Sequence, residues 1–442
     1  MHSLQHLFKS LLLILPVALV AWAPQSSAVY VDEVDYGYPY MDPYLATTTI
    51  AIMKGRDERE ARDTILDLQV ELLPDRNDIP LLEGKGNLRF RLYKAQGTAP
   101  LIVLVPGLGS AAYTGSASYL AELLVRNGFH VMVMPDPLNW NFALAASTSG
   151  YPGHHVIDAL DMYRAMRAAL RHVVNHEHIA VGKLGLMGFS EGALNAAFVA
   201  KVDQEQGILN FEQVLLINPP VDPLFAVTKI DELAKLGATL SPAERKHVHA
   251  YAFGTGVKAL KQEFDDEEYF SNWDKRLKMT DKQIRYLIGA AMFSEVGDMI
   301  YTVELFKHPG VLKTPVSWGS RTLRLDEARS IGVLGYMEKF LLPYLKRDNP
   351  RLDVKALDDQ TSLKAIGPFL AKSHKVLLMH NRDDILLTDG DMAFLERTFG
   401  QRATIYPLGG HLGNLWYDRN RQDIVDSFRS LQRSNHEEEE DD

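Results

Sequence analysis

Gly188-Phe189-Ser190-Glu191-Gly192 constrains this chain more than any other stretch, because of what flanks it. Residues 183–187, Lys-Leu-Gly-Leu-Met, read as the end of a buried strand, and residues 193–200 are rich in good helix formers. A serine between two glycines at a strand-to-helix junction is the nucleophile-elbow pattern. The turn is so tight that a Cβ at either glycine would collide with the neighbouring strand or helix. The hydroxyl is left projecting, and the helix N-terminus favours negative charge developing beside it. A plainer role for Ser190 is an ordinary helix N-cap. The motif alone recurs by chance, so its surroundings carry the weight.

Those surroundings alternate strands with helices. Residues 88–93 alternate polar and apolar like an early strand, and Leu101-Ile102-Val103-Leu104-Val105 is a continuous apolar run, as in a strand buried on both faces. That run leads into Pro106-Gly107-Leu108-Gly109-Ser110. A helix over 118–127 ends at Gly128, a strand follows over 129–134, then a helix over 156–175 and, after the elbow, a strand over 213–218 before Pro219-Pro220. This rhythm predicts an α/β fold with a mostly parallel, doubly covered sheet. It stops at Asp222, where Leu224, Val227, Ile230, Leu233 and Leu236 recur at helical spacing, and resumes over 375–380 and 403–407. The expected organisation is a discontinuous core, 85–221 and 370–434, interrupted by a large, mainly helical cap over 222–369. No internal repeat is visible.

Residues 29–84 read as an N-terminal arm, irregular to about Gln69, in which Tyr30, Tyr36, Tyr38, Tyr40 and Tyr44 are interleaved with Gly37, Pro39 and Pro43. An arm laid over the core is favoured over an aromatic binding surface, because tyrosines pack well with one wet end. Residues 1–28 read as a secretory signal peptide: Lys9, an apolar run from Leu11 to Ala23, and Ser26-Ser27-Ala28 as a small-residue cleavage site. The alternative is a retained anchor, against which stand the run's shortness and Pro16. No second segment is long and apolar enough to span a bilayer. Export without a single cysteine suits a bacterial periplasm, and excludes a thiol nucleophile and thiolate metal sites. Net charge is −10, but the 435–442 tail, expected to be disordered, supplies six of those negatives. The remainder is only mildly acidic, and nothing points to nucleic acid.

Acyl transfer by serine needs a base for the hydroxyl proton, a carboxylate to hold that base, and amides for the oxyanion. His380-Asn381-Arg382-Asp383-Asp384-Ile385 places two carboxylates just past the carboxyl end of an expected strand. Leu408-Gly409-Gly410-His411-Leu412 places a histidine in a glycine-rich loop after the last one. The interval between them holds one helix and one strand. Taken singly, Asp384 reads equally as a turn residue and His411 as a loop histidine.

Ser190, Asp384 and His411 stand in the order this architecture uses, and here the chain resembles an α/β-hydrolase. The likeness covers about 88–218 and 375–431, hardly touching the cap or the arm. It implies that Ser190 is the nucleophile, His411 the base and Asp384 the acid, with Asp383 the runner-up. Asp384 is preferred because the family's acid closely precedes a short apolar stretch, here Ile385-Leu386-Leu387. Pro106-Gly107-Leu108-Gly109 resembles the family's oxyanion loop, with Pro106 in place of the usual histidine. The implied amide donors are those of Leu108 and Glu191. The expected activity is an exported serine hydrolase acting on a carboxylic ester or thioester of a small-molecule or lipid-like acyl substrate, without cofactor or metal. A serine peptidase of the same fold and a non-catalytic envelope binding protein are the alternatives.

Other groups are given plainer roles. The Glu191 side chain reads as a favourable charge at a helix N-terminus rather than a second acid. His172 and His176 share a helix face, but no H-E-x-x-H arrangement accompanies them or His178. His154-His155 reads as a helix start in preference to a loop lining the pocket; Arg164, Arg167 and Arg171 read as a solvated row, and the charged run 263–268 as a solvated face. Gly107-Leu108-Gly109 lacks the remainder of a nucleotide-binding fingerprint.

Overall fold

The structure, a computed structural model, describes residues 27–54, 64–252 and 267–433. Nine strands form one sheet: β1 (Val29–Tyr30), β2 (Ile65–Val70), β3 (Leu88–Tyr93), β4 (Ala99–Val105), β5 (His130–Val133), β6 (Val181–Phe189), β7 (Gln213–Ile217), β8 (Val376–Asn381) and β9 (Ala403–Tyr406). Their order is β1-β9-β8-β7-β6-β4-β5-β3-β2. Only the β2–β3 and β3–β5 pairings are antiparallel. The sheet is therefore the mostly parallel, doubly covered kind expected.

Alternation along the buried strands sorts the core into two layers. Ile102 and Leu104 face one side with Val131, Val133, Met187, Phe189, Leu215 and Ile217. Leu101, Val103 and Val105 face the other with Met132, Leu186, Val214 and Leu216. Helices His155–Asn175 and Glu191–Gln206 cover the second face, and helix Gly115–Arg126 covers the first. Between β7 and β8 the described residues hold helices and no strand, from Pro223–Lys235 to Gly367–Lys372. Part of this stretch packs as its own apolar cluster around Val303, Tyr336 and Phe340, joined to Leu138 and Tyr151 of the core.

The N-terminal segment differs from the irregular arm expected. β1 pairs in parallel with β9 and β2 runs antiparallel along β3. A two-residue strand has no readable period. β2 does alternate, with Leu66, Leu68 and Val70 against the core and Asp67 paired to Arg91, a strand signal that the irregular reading of this stretch passed over. Tyr36, Tyr38 and Tyr40 are buried, as an arm over the core requires, while Tyr30 is half exposed. The helix expected from 118 begins at Gly115. The leader, save Ser27 and Ala28, the 435–442 tail and most of the 263–268 run lie outside the described residues. Among those described, no helix is long and apolar enough to cross a membrane.

Candidate active site

The carboxyl ends of β4, β6, β7, β8 and β9 lie side by side, and each is followed by a residue of the site. At the end of β6 the chain reverses through Ser190, whose φ of 55° and ψ of −130° are rare for a residue with a side chain. Close approach explains the flanking glycines: a Cβ on Gly188 would lie 2.2 Å from the Gly192 carbonyl oxygen, and one on Gly192 2.2 Å from those of Val105 and Pro106. The Ser190 hydroxyl makes no helix-capping bond. Its Oγ lies 2.8 Å from His411 Nε2 instead.

His411 sits in the loop after β9, buried, with Nδ1 2.9 and 3.1 Å from the two carboxylate oxygens of Asp384. Asp384 also accepts from Asn218 Nδ2 at 2.7 Å and from the Leu386 amide at 2.9 Å. Burial alone would push its carboxyl up; the His411 imidazole, with His380 and the Asn218 amide, holds it below the usual carboxylate range. Since a carboxylate only accepts, His411 carries its hydrogen on Nδ1 and turns the Nε2 lone pair to the hydroxyl, an assignment made from the hydrogen-bond network. Asp383 faces elsewhere. Its oxygens accept the Gly410 and Gly409 amides at 2.8 and 3.2 Å, and burial pushes it up to about 6. Of the two aspartates, Asp384 faces the imidazole and Asp383 shapes the glycine turn that carries it.

The loop after β4 closes over the serine: a Cβ on Gly107 would stand 3.3 Å from Ser190 Cβ. Asp136 and Asn139 hold this loop. The Gly109 amide donates to Asp136 Oδ1 at 2.8 Å, and Asn139 Nδ2 donates to the Gly109 carbonyl at 2.9 Å. Asn195, on the helix that Ser190 opens, reaches Asp136 Oδ2 at 3.2 Å and so ties loop to elbow. Burial, reinforced by nearby Glu191, raises the Asp136 carboxyl well above its ordinary value. Leu108 follows Gly107 and Glu191 follows Ser190, so the two expected oxyanion amides belong to segments in contact.

Sequence reasoning missed Asn218, Asp136, Asn139 and the arm's grip on the histidine loop. The His411 amide donates to Thr47 Oγ1 at 2.9 Å. Gly410 has φ +55°, and a Cβ there would lie 2.1 Å from the Pro43 carbonyl oxygen. Tyr38 and Thr49 hydroxyls both donate to the Gly413 carbonyl, at 2.9 and 2.6 Å, and Asn414 donates to the Tyr36 hydroxyl at 2.8 Å. The interleaved tyrosines were the only sequence signal for this, and nothing marked Thr47.

Two sequence readings need correction. His155 is no mere helix start: it is buried, its Nε2 2.6 Å from Glu191 Oε1, so the Glu191 carboxylate is held by a histidine as well as by the helix N-terminus. Nor is Arg164 simply solvated. It donates to the Ala146 carbonyl at 2.7 Å and pairs with Asp161 at 3.3 Å. His172 and His176 stack with ring centroids 4.9 Å apart. Among the described residues no three histidine or carboxylate side chains are grouped to hold a metal ion.

The chain matches no family model and no curated protein. Among solved structures it is similar to a Pyrococcus furiosus esterase, at 9% identity over 86% of this chain and 97% of that one, TM-score 0.41. It is also similar to brefeldin A esterase, a bacterial homologue of human hormone-sensitive lipase, at 13% identity over 89% and 86%, TM-score 0.40. A third is the Pyrococcus horikoshii acylaminoacyl peptidase, at 13% identity over 83% of this chain but 41% of that one, TM-score 0.40. Likenesses this distant carry no weight on activity. The chain's own strand order, the elbow after β6 and the helical insertion between β7 and β8 make this an α/β-hydrolase fold.

Proposed function

We propose that this chain is a serine hydrolase that cleaves a carboxylic ester or thioester through an acyl-enzyme on Ser190. The observation that supports it is the unbroken row Ser190 Oγ, His411 Nε2, His411 Nδ1, Asp384, with contacts of 2.8 and 2.9 Å. In this reading His411 takes the hydroxyl proton as Ser190 attacks the carbonyl. Asp384 holds the tautomer and stabilises the imidazolium, and the amides of Leu108 and Glu191 receive the oxyanion. His411 then returns the proton to the departing alcohol or thiol. Water, deprotonated by the same imidazole, releases the acid. No cofactor enters, the substrate is a small or lipid-like acyl compound, and the leader sequence directs the enzyme to the periplasm.

The test is labelling by a fluorophosphonate, alongside turnover of p-nitrophenyl butyrate and a peptide p-nitroanilide. The expected result is labelling that vanishes in Ser190→Ala, and an ester rate that falls about 10³- to 10⁴-fold in Asp384→Asn. Preference for the anilide would make it a peptidase. A folded but unlabelled wild type would refute the enzyme and leave a binding protein.

A further inference from the structure

Beneath the nucleophile the chain buries a second polar cluster that the acyl-enzyme chemistry does not use. His155 opens helix His155–Asn175 with its ring enclosed against Phe198, the centroids 5.8 Å apart. Its Nδ1 lies 2.9 Å from the Thr361 carbonyl, the last residue of helix Val354–Thr361 in the cap stretch, and its Nε2 2.6 Å from Glu191 Oε1. A carbonyl only accepts, so Nδ1 carries a hydrogen. At 2.6 Å a second proton must lie between Nε2 and the carboxylate. The shared proton leaves the pair neutral as a whole, and the ring lies at a helix C-terminus, where the imidazolium form is favoured. Burial opposes that charge, but Glu191 and Asp158 overcome it and His155 is shifted up.

The charge arithmetic around the elbow gives this pair its importance. Glu191, Asp158, His154 and the Thr361 carbonyl face His155, and Asp136 lies near Glu191. Burial raises both aspartates, Asp158 to about 7, while the Asp158 Oδ1 has no hydrogen-bond partner. Glu191, by contrast, is bonded directly to Ser190 and shares its residue with an expected oxyanion amide. Acyl transfer creates negative charge there, and an uncompensated carboxylate next door would oppose it.

We propose that His155 is a positioning residue for the reaction: it neutralises the carboxylate adjoining the nucleophile and pins the side chain of Glu191. The inference rests on the acyl-enzyme reading above. Coulomb repulsion between unit charges on neighbouring residues at an effective dielectric near 20 sets the expected effect at roughly 10- to 100-fold in rate.

The test is a double-mutant cycle of His155→Gln and Glu191→Gln, read as the rate of fluorophosphonate labelling and as kcat and KM for p-nitrophenyl butyrate. His155→Gln is expected to slow labelling at least about 10-fold with KM unchanged, yet less than about threefold in the E191Q background. A purely structural role would slow both backgrounds alike. Equal slowing, or none, with a labelled wild type overturns this inference alone; a wild type that is never labelled overturns the acyl-enzyme reading as well. Nitrogen NMR of the histidine rings needs no His155 variant. Both His155 nitrogens should be protonated at pH 7.5, and a neutral ring overturns the proposal.

Discussion

Replacing Thr47 by Val tests whether the N-terminal arm governs the base of the site. Valine keeps the shape and exchanges the hydroxyl for a methyl, in a side chain only 1% exposed. Two bonds disappear: the one accepted from the His411 amide at 2.9 Å and the one donated to the Pro43 carbonyl at 2.6 Å. The first loss matters more, because the His411 amide is buried and would be left without an acceptor. An orphaned buried donor costs about 1–3 kcal/mol, and a central expectation is about 2. The loop can recover that energy only by shifting the amide toward water, which drags the imidazole from Ser190. A displacement of about 1 Å can cost 10²-fold in rate. The assay is urea unfolding together with p-nitrophenyl butyrate kinetics for the wild type, Thr47→Val and Thr47→Ser. The valine variant should unfold at lower urea with an unchanged slope, and turn over 10- to 100-fold more slowly. Serine, which restores the acceptor, should recover most of both. A valine variant within about 0.3 kcal/mol and twofold of wild type would refute the reasoning, as would a serine variant no better than valine.

Two further substitutions probe strain and buried charge. Ser190 holds a positive φ that glycine adopts freely. Ser190→Gly should therefore be about 1 kcal/mol more stable to urea than Ser190→Ala, both being inactive; the reverse order would mean the elbow stores no backbone strain. Burial raises Asp158 from 3.8 to about 7, so the folded protein keeps a proton that the unfolded chain releases. Its stabilising effect is fully present below the unfolded value and is lost as pH rises from about 4 to about 7, an upper bound of about 4 kcal/mol. Asp158→Asn lacks this dependence. Urea unfolding at pH 5 and pH 8 should show the variant gaining on wild type at the higher pH, and a constant difference would disprove the shift.

The parts of the fold legible in the sequence were those with a strong local signature. Leu101–Val105 is apolar throughout because both faces of β4 are covered, and Gly188 and Gly192 are glycine because neighbouring backbone leaves no space. Asp384 and His411 could be singled out because each follows a readable strand. What escaped notice was held by contacts between distant segments. Thr47 looks like any threonine in a Thr-Thr-Thr run, and only the return of β9 beside β1 brings it under His411. His155 looked like a helix start because its partners Glu191 and Thr361 stand far along the chain. Asn218, at the end of an expected strand, was noticed only as its last residue; its bond to Asp384 depends on β7 lying next to β8.

These distant contacts brace the site from several segments at once. The arm grips the loop of His411, and Asn218 at the end of β7 braces Asp384, so the geometry of the hydroxyl–imidazole–carboxylate row is held from the core and the N-terminal segment. The insertion between β7 and β8 touches both halves of the site: the Trp273 amide and indole donate to the Tyr40 and Thr48 hydroxyls of the arm at 3.0 and 2.9 Å, and Phe270 stacks on Trp416 beyond His411. The Glu295 carbonyl would stand 2.9 Å from a Cβ on Gly109, and the Thr361 carbonyl holds His155 and, through it, Glu191. Both contacts fall on segments expected to supply the oxyanion amides. A substrate that shifted the cap would therefore act on the segments expected to stabilise developing charge and, through Trp273 and Phe270, on the arm and loop that position His411. In the proposed mechanism, substrate selection by such a cap would appear in kcat as well as in KM, because the insertion touches the segments expected to supply the oxyanion amides.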